Sequence, residues 1–423
     1  MENVKEKPLF AVIPPEQTGG VPIKIWATEI DAETGKRYPS VDAGTLLQAS
    51  MAARLPCAFH HVALMPDAHS GYGLPVGGVF ASTDAILPYF VGVDIGCGMC
   101  VLNTGIHIDE IDVPTLMKNW EKNIPTGTSS RSNSDLWLRT GPSQFVLDKF
   151  KKDHESVEKK HNIKLPEAGR ACTQIGTLGG GNHFVELQVD TDGIAHIMIH
   201  SGSRGFGYGI CTMFHDIAKD LCKKWHVKLE SDKCAFLPTD TNEGKAYIDS
   251  MNLALDYAFQ NRSAMMRCAI AGLEKQSLKP NAIKNTINIH HNYAALEHHF
   301  GKNVWVHRKG ATLARSNTTG IIPGSMCSSS YIVNGKGNAD SFSSCSHGAG
   351  RNFSRKKAKQ MVEESEVQSQ KDQLDGAGVT LHGATDVHDE LAHAYKDIST
   401  VMANQTDLID IAVELKPVAV LKG

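Results

Sequence analysis

The chain has 423 residues, with 43 lysines and arginines against 46 aspartates and glutamates, a formal net charge of -3, and 41% hydrophobic against 21% charged residues. This balance excludes collagen-like, coiled-coil and wholly disordered chains. It gives no global attraction to nucleic acid, so a polyanionic partner must be met by a local basic surface. Histidine is the one outlying count, at 20 residues.

Length alone allows about three domains or one large α/β-type body. No repeat of fixed period and no Pro/Ser/Gly linker divides the sequence, so one composite domain over residues 1–423 is expected. The opening MENVKEKPLFAVIPP lacks an apolar run of signal-peptide length, and nowhere do about eighteen consecutive apolar residues occur. Ten cysteines in such a chain read as reduced thiols. The expected address is the cytoplasm, with no membrane partner.

In chain order, 3.6-residue periodicity predicts helices from Ile111 to Asn123, from Ser143 to His161, and from Glu243 to Lys275. In the last of these, Tyr247, Met251, Leu255 and Phe259 form the apolar stripe. β-rich runs at Ala195 to Ile199, Asn303 to His307 and Val413 to Val420 predict strands. His290, His291 and Asn292 are expected to open a helix, and two more helices are predicted from Ser354 to Gln373 and from Asp386 to Met402. The fold class that follows is α+β, a mixed sheet with flanking helices.

The glycines cluster with His, Asn, Ser and Arg in five islands: MPDAHSGYGLPVGG, VGVDIGCGMC, IGTLGGGNHFVE, IHSGSRGFGYG and CSHGAGR. Small residues beside ligands or bases are what close backbone approach to phosphate requires. In the second island Asp94 and Cys97 sit on one tight turn and can share a divalent cation. A Cys97/Cys100 redox pair and two inert buried thiols are the rival readings. His183 and His200 lie at the edges of glycine turns and suit neighbouring strand ends facing one metal. Of the adjacent His290 and His291, one can turn inward while the other faces elsewhere.

With His291, these residues make five ligands, enough for two ions sharing the thiolate and bracing a phosphoryl transfer. Ligand softness favours zinc and admits manganese. In the last island, glycine-flanked His347 is placed as a nucleophile towards a nucleotide phosphate. Arg351, Arg355, Lys356, Lys357 and Lys359 follow it. With Arg308, Lys309 and Arg315 they form the candidate basic track for a polyanionic partner.

HHVALMPDAHSGYG, VGVDIGCGM, GTLGGGNHFVE, HSGSRG, HHNYA, VHRKGAT, IPGSM, SHGAGR and LKPVAVLKG together resemble, in order, the RtcB-type RNA-splicing ligases. The resemblance runs from about Ala63 to Gly423, and the first 60 residues match less well. It implies two Mn²⁺ ions on Asp94, Cys97, His183, His200 and His291, with Cys97 bridging. It also implies GTP as cofactor, with His347 taking GMP and Asp67 orienting its imidazole. Asn182, Glu186, Tyr395 and Lys422 are implied in nucleotide binding, and Arg204 and Arg351 in holding phosphate or RNA.

The implied reaction joins RNA 2',3'-cyclic phosphate or 3'-phosphate ends to 5'-hydroxyl ends through an RNA-ppG intermediate, with room for an archease-like activator. The GVDIGCGM form resembles bacterial members. Cys327, Cys345 and Phe80 depart from the pattern, and are expected to reshape the guanine or RNA-end pocket. A metal-dependent phosphodiesterase acting on cyclic phosphates without ligation is the alternative.

Overall fold

A computed structural model describes residues 9–32, 34–131, 141–273, 285–352, 380–382, 390 and 394–423. Two large sheets organise them. The first runs in the order Ala11–Ile13, Ile23–Ile25, Ala58–His69, Val76–Ser82, Lys302–Lys309, Asn292–His299. Its pairings are antiparallel except for the parallel one between Ile23–Ile25 and Ala58–His69. The second runs Ile287–His290, Gly98–His107, Ile194–Ser201, Phe184–Val189, Ile409–Lys422, Ser330–Gly335, Thr319–Ile322. Thr380–His382 joins Ile409–Lys422 in parallel. This is the α+β, mixed-sheet class expected, and the three strands read from sequence fall within Ile194–Ser201, Lys302–Lys309 and Ile409–Lys422.

The N-terminal residues belong to the first sheet. Helix Ala43–Ala53 is capped by the Asp42 side chain, which accepts from the Thr45 amide. Its Ala49, Ala52 and Ala53 share a core with Val62, Leu64 and Phe80. Phe80 is thus core rather than pocket wall, packed edge to face on Phe90 at 4.9 Å. No described helix is long and apolar enough to cross a membrane.

Helices Val113–Asn123 and Gln144–His161 lie where periodicity put them, each N-capped by a side chain, Asp112 and Ser143. Helix Asn242–Ala271 covers the described part of the third up to its cap at Gly272, but its apolar stripe turns out differently. Tyr247 and Met251 are buried, whereas Phe259 is 41% exposed. Four-residue steps overshoot each turn by about 40°, so a run of them leaves the core. The buried face continues instead through Ala254, Tyr257, Ala258 and Asn261.

Two helix assignments are corrected. His290–Asn292 opens no helix: Ile287–His290 pairs with Gly98–His107 in one sheet, and Asn292–His299 pairs with Lys302–Lys309 in the other. Sheet partners on both sides outweigh local periodicity there. The helix predicted from Asp386 to Met402 begins only at Ile398 among the described residues, capped by Asp397. Before it, the Asn352 amide bonds the Ala394 carbonyl and Tyr395 bridges Arg351, which draws the chain out of helix. The helix predicted from Ser354 to Gln373 lies outside the described residues, as do Arg355, Lys356, Lys357 and Lys359.

The basic track is corrected as well. Arg308 is fully buried, donating to both oxygens of Glu297, to Ser344 Oγ at 2.9 Å and to the Phe342 carbonyl at 2.9 Å. Arg315 pairs with the same carboxylate at 3.2 Å. Lys309 is also buried, donating to the Tyr72 and Tyr89 carbonyls, and burial lowers its pKa to about 7. Neither of these two residues presents a charge to a polymer. Replacing Arg308 with methionine leaves the buried Glu297 carboxylate to Arg315 and His299 alone, and is expected to cost about 2–3 kcal/mol of stability. Urea unfolding reads this directly, and a loss below about 1 kcal/mol would contradict it.

Candidate active site

The two sheets meet at His291, the single residue between Ile287–His290 and Asn292–His299. Its amide bonds the Cys97 carbonyl at 2.9 Å, and its carbonyl takes the Ala311 amide at 3.1 Å. His290 turns the other way, to Arg262 and the Gly96 carbonyl, each at 3.1 Å. Around His291 opens a cavity of about 370 Å³, lined among others by Asp94, Cys97, His183, His200, Glu186, His347, Arg351, Tyr395 and Lys422. Sheet register brings in its far wall: Lys422 lies opposite Phe184, and Val420 opposite Glu186.

The thiol–imidazole cluster is compact. Cys97 Sγ lies 3.2 Å from His200 Nε2 and 3.6 Å from His183 Nε2, and Asp94 Oδ2 is 3.3 Å from His183 Nε2. Each imidazole is oriented from behind: His183 Nδ1 bonds the Leu178 carbonyl at 2.9 Å, and His200 Nδ1 bonds the Asn182 carbonyl at 3.1 Å. Donation from Nδ1 leaves both Nε2 lone pairs facing the thiol, as metal ligation requires. Burial holds His200 and His291 neutral, with pKa values far below the ordinary range.

His291 sits edge-on to His200 at 5.2 Å, and its buried Nδ1 has no hydrogen-bond partner among the described residues. Soft sulfur, neutral imidazoles, an adjacent carboxylate and an orphaned imidazole nitrogen together make a donor set that fits a divalent metal. Cys100 faces the opposite way, into a core with Leu102 and Ile199, so the redox-pair reading has no geometry. All ten cysteines are free.

Glycines here admit protein neighbours. A Cβ on Gly202 would collide with the Asp94 carboxylate. Gly310, at φ +58°, would bring one to 2.9 Å from His347 Cε1. At these two glycines the close approach expected for phosphate is taken up by ligand side chains packed tightly against backbone.

His347 follows the strand Ser344–Ser346 and is 4.8 Å, centroid to centroid, from His291. One oxygen of fully buried Asp67 accepts three bonds: from His347 Nδ1 at 2.7 Å, the His347 amide at 3.0 Å and the Gly348 amide at 3.3 Å. Burial opposes the Asp67 charge, but the His347 ring and these donors outweigh it and hold the carboxyl below its usual range. The pair fixes Nδ1 and leaves Nε2 for chemistry.

On the far wall, sequence reasoning missed Glu390, which carries no motif around it. It is buried and accepts from Arg351 at 3.1 Å, Lys422 at 3.1 Å and the Tyr395 hydroxyl. Tyr395 lies under the Arg351 guanidinium at 5.1 Å. Glu186 is buried beside Gln188, and burial raises its pKa to about 8. Asn292, quoted within HHNYA without a role, ties the Asp94 carbonyl at 3.1 Å to the Gly310 amide at 2.7 Å.

Arg204 is not brought into the cavity. Its guanidinium bonds Thr177 Oγ1 at 3.1 Å and the Gly127 carbonyl, behind the loop that carries Asn182 and His183. Cys345 is buried in its strand away from the cavity, while Cys327 lies close enough to Glu186 for that charge to raise its thiol pKa, after burial as the main cause.

The family model for "tRNA-splicing ligase RtcB" matches residues 48–423. The chain belongs to the RtcB family. The RNA-splicing ligase RtcB of Escherichia coli K12 is 37% identical over 417 residues, covering 96% of this chain and 98% of that protein. The tRNA-splicing ligase RtcB of Nanoarchaeum equitans is 31% identical, covering 97% of each. The RNA-splicing ligase RtcB homolog 2 of Entamoeba dispar is 32% identical, covering 89% of this chain and 83% of the relative. The motifs quoted from sequence are thus read in a family whose relatives span this chain nearly end to end.

Proposed function

We propose that this RtcB-family chain is a GTP- and Mn²⁺-dependent RNA ligase. It joins 2',3'-cyclic phosphate or 3'-phosphate ends to 5'-hydroxyl ends, in RNA repair or tRNA splicing, in the reducing setting of the cytoplasm. The observation that carries this reading is the Asp67–His347 pair set 4.8 Å from His291 at the edge of the thiol–imidazole cluster. A hydrolase of cyclic phosphates needs the cluster; it does not need a further imidazole, beyond His183, His200 and His291, held in one tautomer by a buried carboxylate.

In this reading His347 Nε2 attacks the α-phosphate of GTP, expels pyrophosphate and retains GMP. A 2',3'-cyclic end is first hydrolysed by water to a 3'-phosphate, whose oxygen takes the GMP from His347, and a 5'-hydroxyl then displaces GMP to form the phosphodiester. Asp94, Cys97, His183, His200 and His291 would hold two Mn²⁺ ions, which when bound neutralise phosphate charge. Asn182, Glu186, Tyr395 and Lys422 would seat the guanosine, with Arg351 held over Tyr395 against phosphate.

The raised pKa of Glu186 sets a pH dependence. If its carboxylate accepts the guanine N–H groups, GTP binding below pH 8 must expel a proton. Affinity then rises about tenfold per unit towards about pH 8 and levels above it. Titration of GTP binding from pH 6 to 9 checks this, and Glu186→Gln is expected to flatten the curve.

The reading as a whole is tested with GTP, Mn²⁺ and two RNA strands, one ending in a 2',3'-cyclic phosphate and one beginning with a 5'-hydroxyl. A sealed strand with release of GMP and pyrophosphate is expected. Opening of the cyclic phosphate without joining would favour the hydrolase.

A further inference from the structure

Beyond the catalytic cavity, the described surface carries a group of aromatic side chains that the chemistry above does not use. Tyr72 is 57% exposed. It stands edge to face with Tyr89 at 5.8 Å, and Tyr89 is stacked flat on His215 at 3.5 Å. The Lys233 ammonium lies 4.3 Å above the Tyr72 ring. Tyr208, on the helix Arg204–Lys224, is exposed as well. Burial lowers His215 to about 4, so its ring is neutral and the stack carries no charge of its own at pH 7.

This group is fastened to the catalytic cavity. The carbonyls of both Tyr72 and Tyr89 accept from Lys309 Nζ, and Lys309 lines the cavity. Tyr72 follows the lining residue His69 by three positions, and Tyr89 precedes Gly92, Val93 and Asp94. Gly73 keeps the two segments together: at φ +76° it lies where a Cβ would press on the Lys233 carbonyl at 2.9 Å and on Tyr89 Cβ at 3.2 Å.

We propose that the Tyr72–Tyr89 platform is a nucleobase-stacking subsite that receives a base of a single-stranded RNA end whose reactive group lies in the cavity. An exposed ring set edge to face against the stacked Tyr89–His215 pair, with one ammonium over one of its faces, has its other face to offer a base and a cation for that base's phosphate; such sites are sequence-tolerant. Charges around it are mixed, with Asp216 paired to Lys219 at 3.4 Å, so the ring rather than a phosphate track is the recognising element. The proposal rests on the RNA-ligase reading and adds to it where a strand enters. Its occupant is a base of either the 3'-phosphate strand or the 5'-hydroxyl strand.

The test is fluorescence anisotropy of the Mn²⁺-loaded protein with short labelled oligoribonucleotides, one ending in a 3'-phosphate and one beginning with a 5'-hydroxyl. Each is made intact and with single abasic positions near its reactive end. Tyr72→Ala is expected to weaken one strand roughly tenfold, the usual effect of losing one base–ring stack, while Tyr72→Phe keeps the affinity. At one abasic position the Tyr72→Ala effect should vanish, which names both the strand and the nucleotide. As a second measurement on the unaltered protein, 2-aminopurine at that nucleotide should lose fluorescence on binding. Unchanged affinity of Tyr72→Ala for both strands, or unquenched 2-aminopurine at every position, would overturn the subsite. GTP-dependent labelling of the protein, measured in parallel without RNA, separates this failure from failure of the ligase reading.

Discussion

Replacing Asp67 with alanine is expected to lower nucleotidyl transfer to the protein by about three to four orders of magnitude, and Asp67→Asn by about ten- to a hundredfold. One carboxylate oxygen takes the His347 side chain and two backbone amides together. Alanine leaves three donors without an acceptor and frees the imidazole to change tautomer and rotamer. Asparagine can place an amide oxygen at the same point and keep the geometry, but it loses the charge that strengthens these bonds and puts an NH2 where the buried Oδ1 has no partner among the described residues. The order Asp, Asn, Ala is therefore the prediction, read as single-turnover rates with labelled GTP. Equal rates for the asparagine and alanine variants would show that charge, rather than orientation, is what His347 needs.

The second large effect belongs to Cys97. Burial, reinforced by the Asp94 charge, pushes its thiol pKa well above the ordinary value, so without a cation the site holds S–H. Metal binding must release that proton, and affinity is expected to rise about tenfold per pH unit through the neutral range. Calorimetry in buffers of different ionisation enthalpy would show close to one proton released from Cys97 on metal binding. Cys97→Ala should cost at least a hundredfold in Mn²⁺ affinity, because His183 and His200 are oriented towards the sulfur by the Leu178 and Asn182 carbonyls. Proton release that persists in that variant would locate the titrating group elsewhere.

The cluster was legible in the sequence because ligand-type side chains stood beside glycines, and glycine beside a ligand marks tight packing whatever lies on the other side. His290 and His291 face different surroundings because the chain passes from one sheet to the other at His291, and the same sheet pairings overturn the helix expected there. Periodicity gave the existence of Val113–Asn123 and Gln144–His161, since both are short amphipathic helices with capping residues in place. It could not follow the twist of the buried face through the 30 residues of Asn242–Ala271.

Burial was the information the sequence lacked. Arg308 and Lys309 read as surface cations until Glu297 and two backbone carbonyls were found around them. Arg204, in a glycine island like the others, turned out to brace the Gly179 loop from behind. Glu390 could not be found at all, because what distinguishes it is the convergence of Arg351, Tyr395 and Lys422, contributed by three separate stretches of chain.

The most direct measurement is labelling by α-³²P-GTP in the presence of Mn²⁺, followed by mapping of the modified residue. The account predicts an acid-labile, alkali-stable label on His347, absent from His347→Ala and unchanged in metal content. A label that survives in His347→Ala, or a metal-loaded parent protein that takes up none while still opening cyclic phosphates, would contradict it.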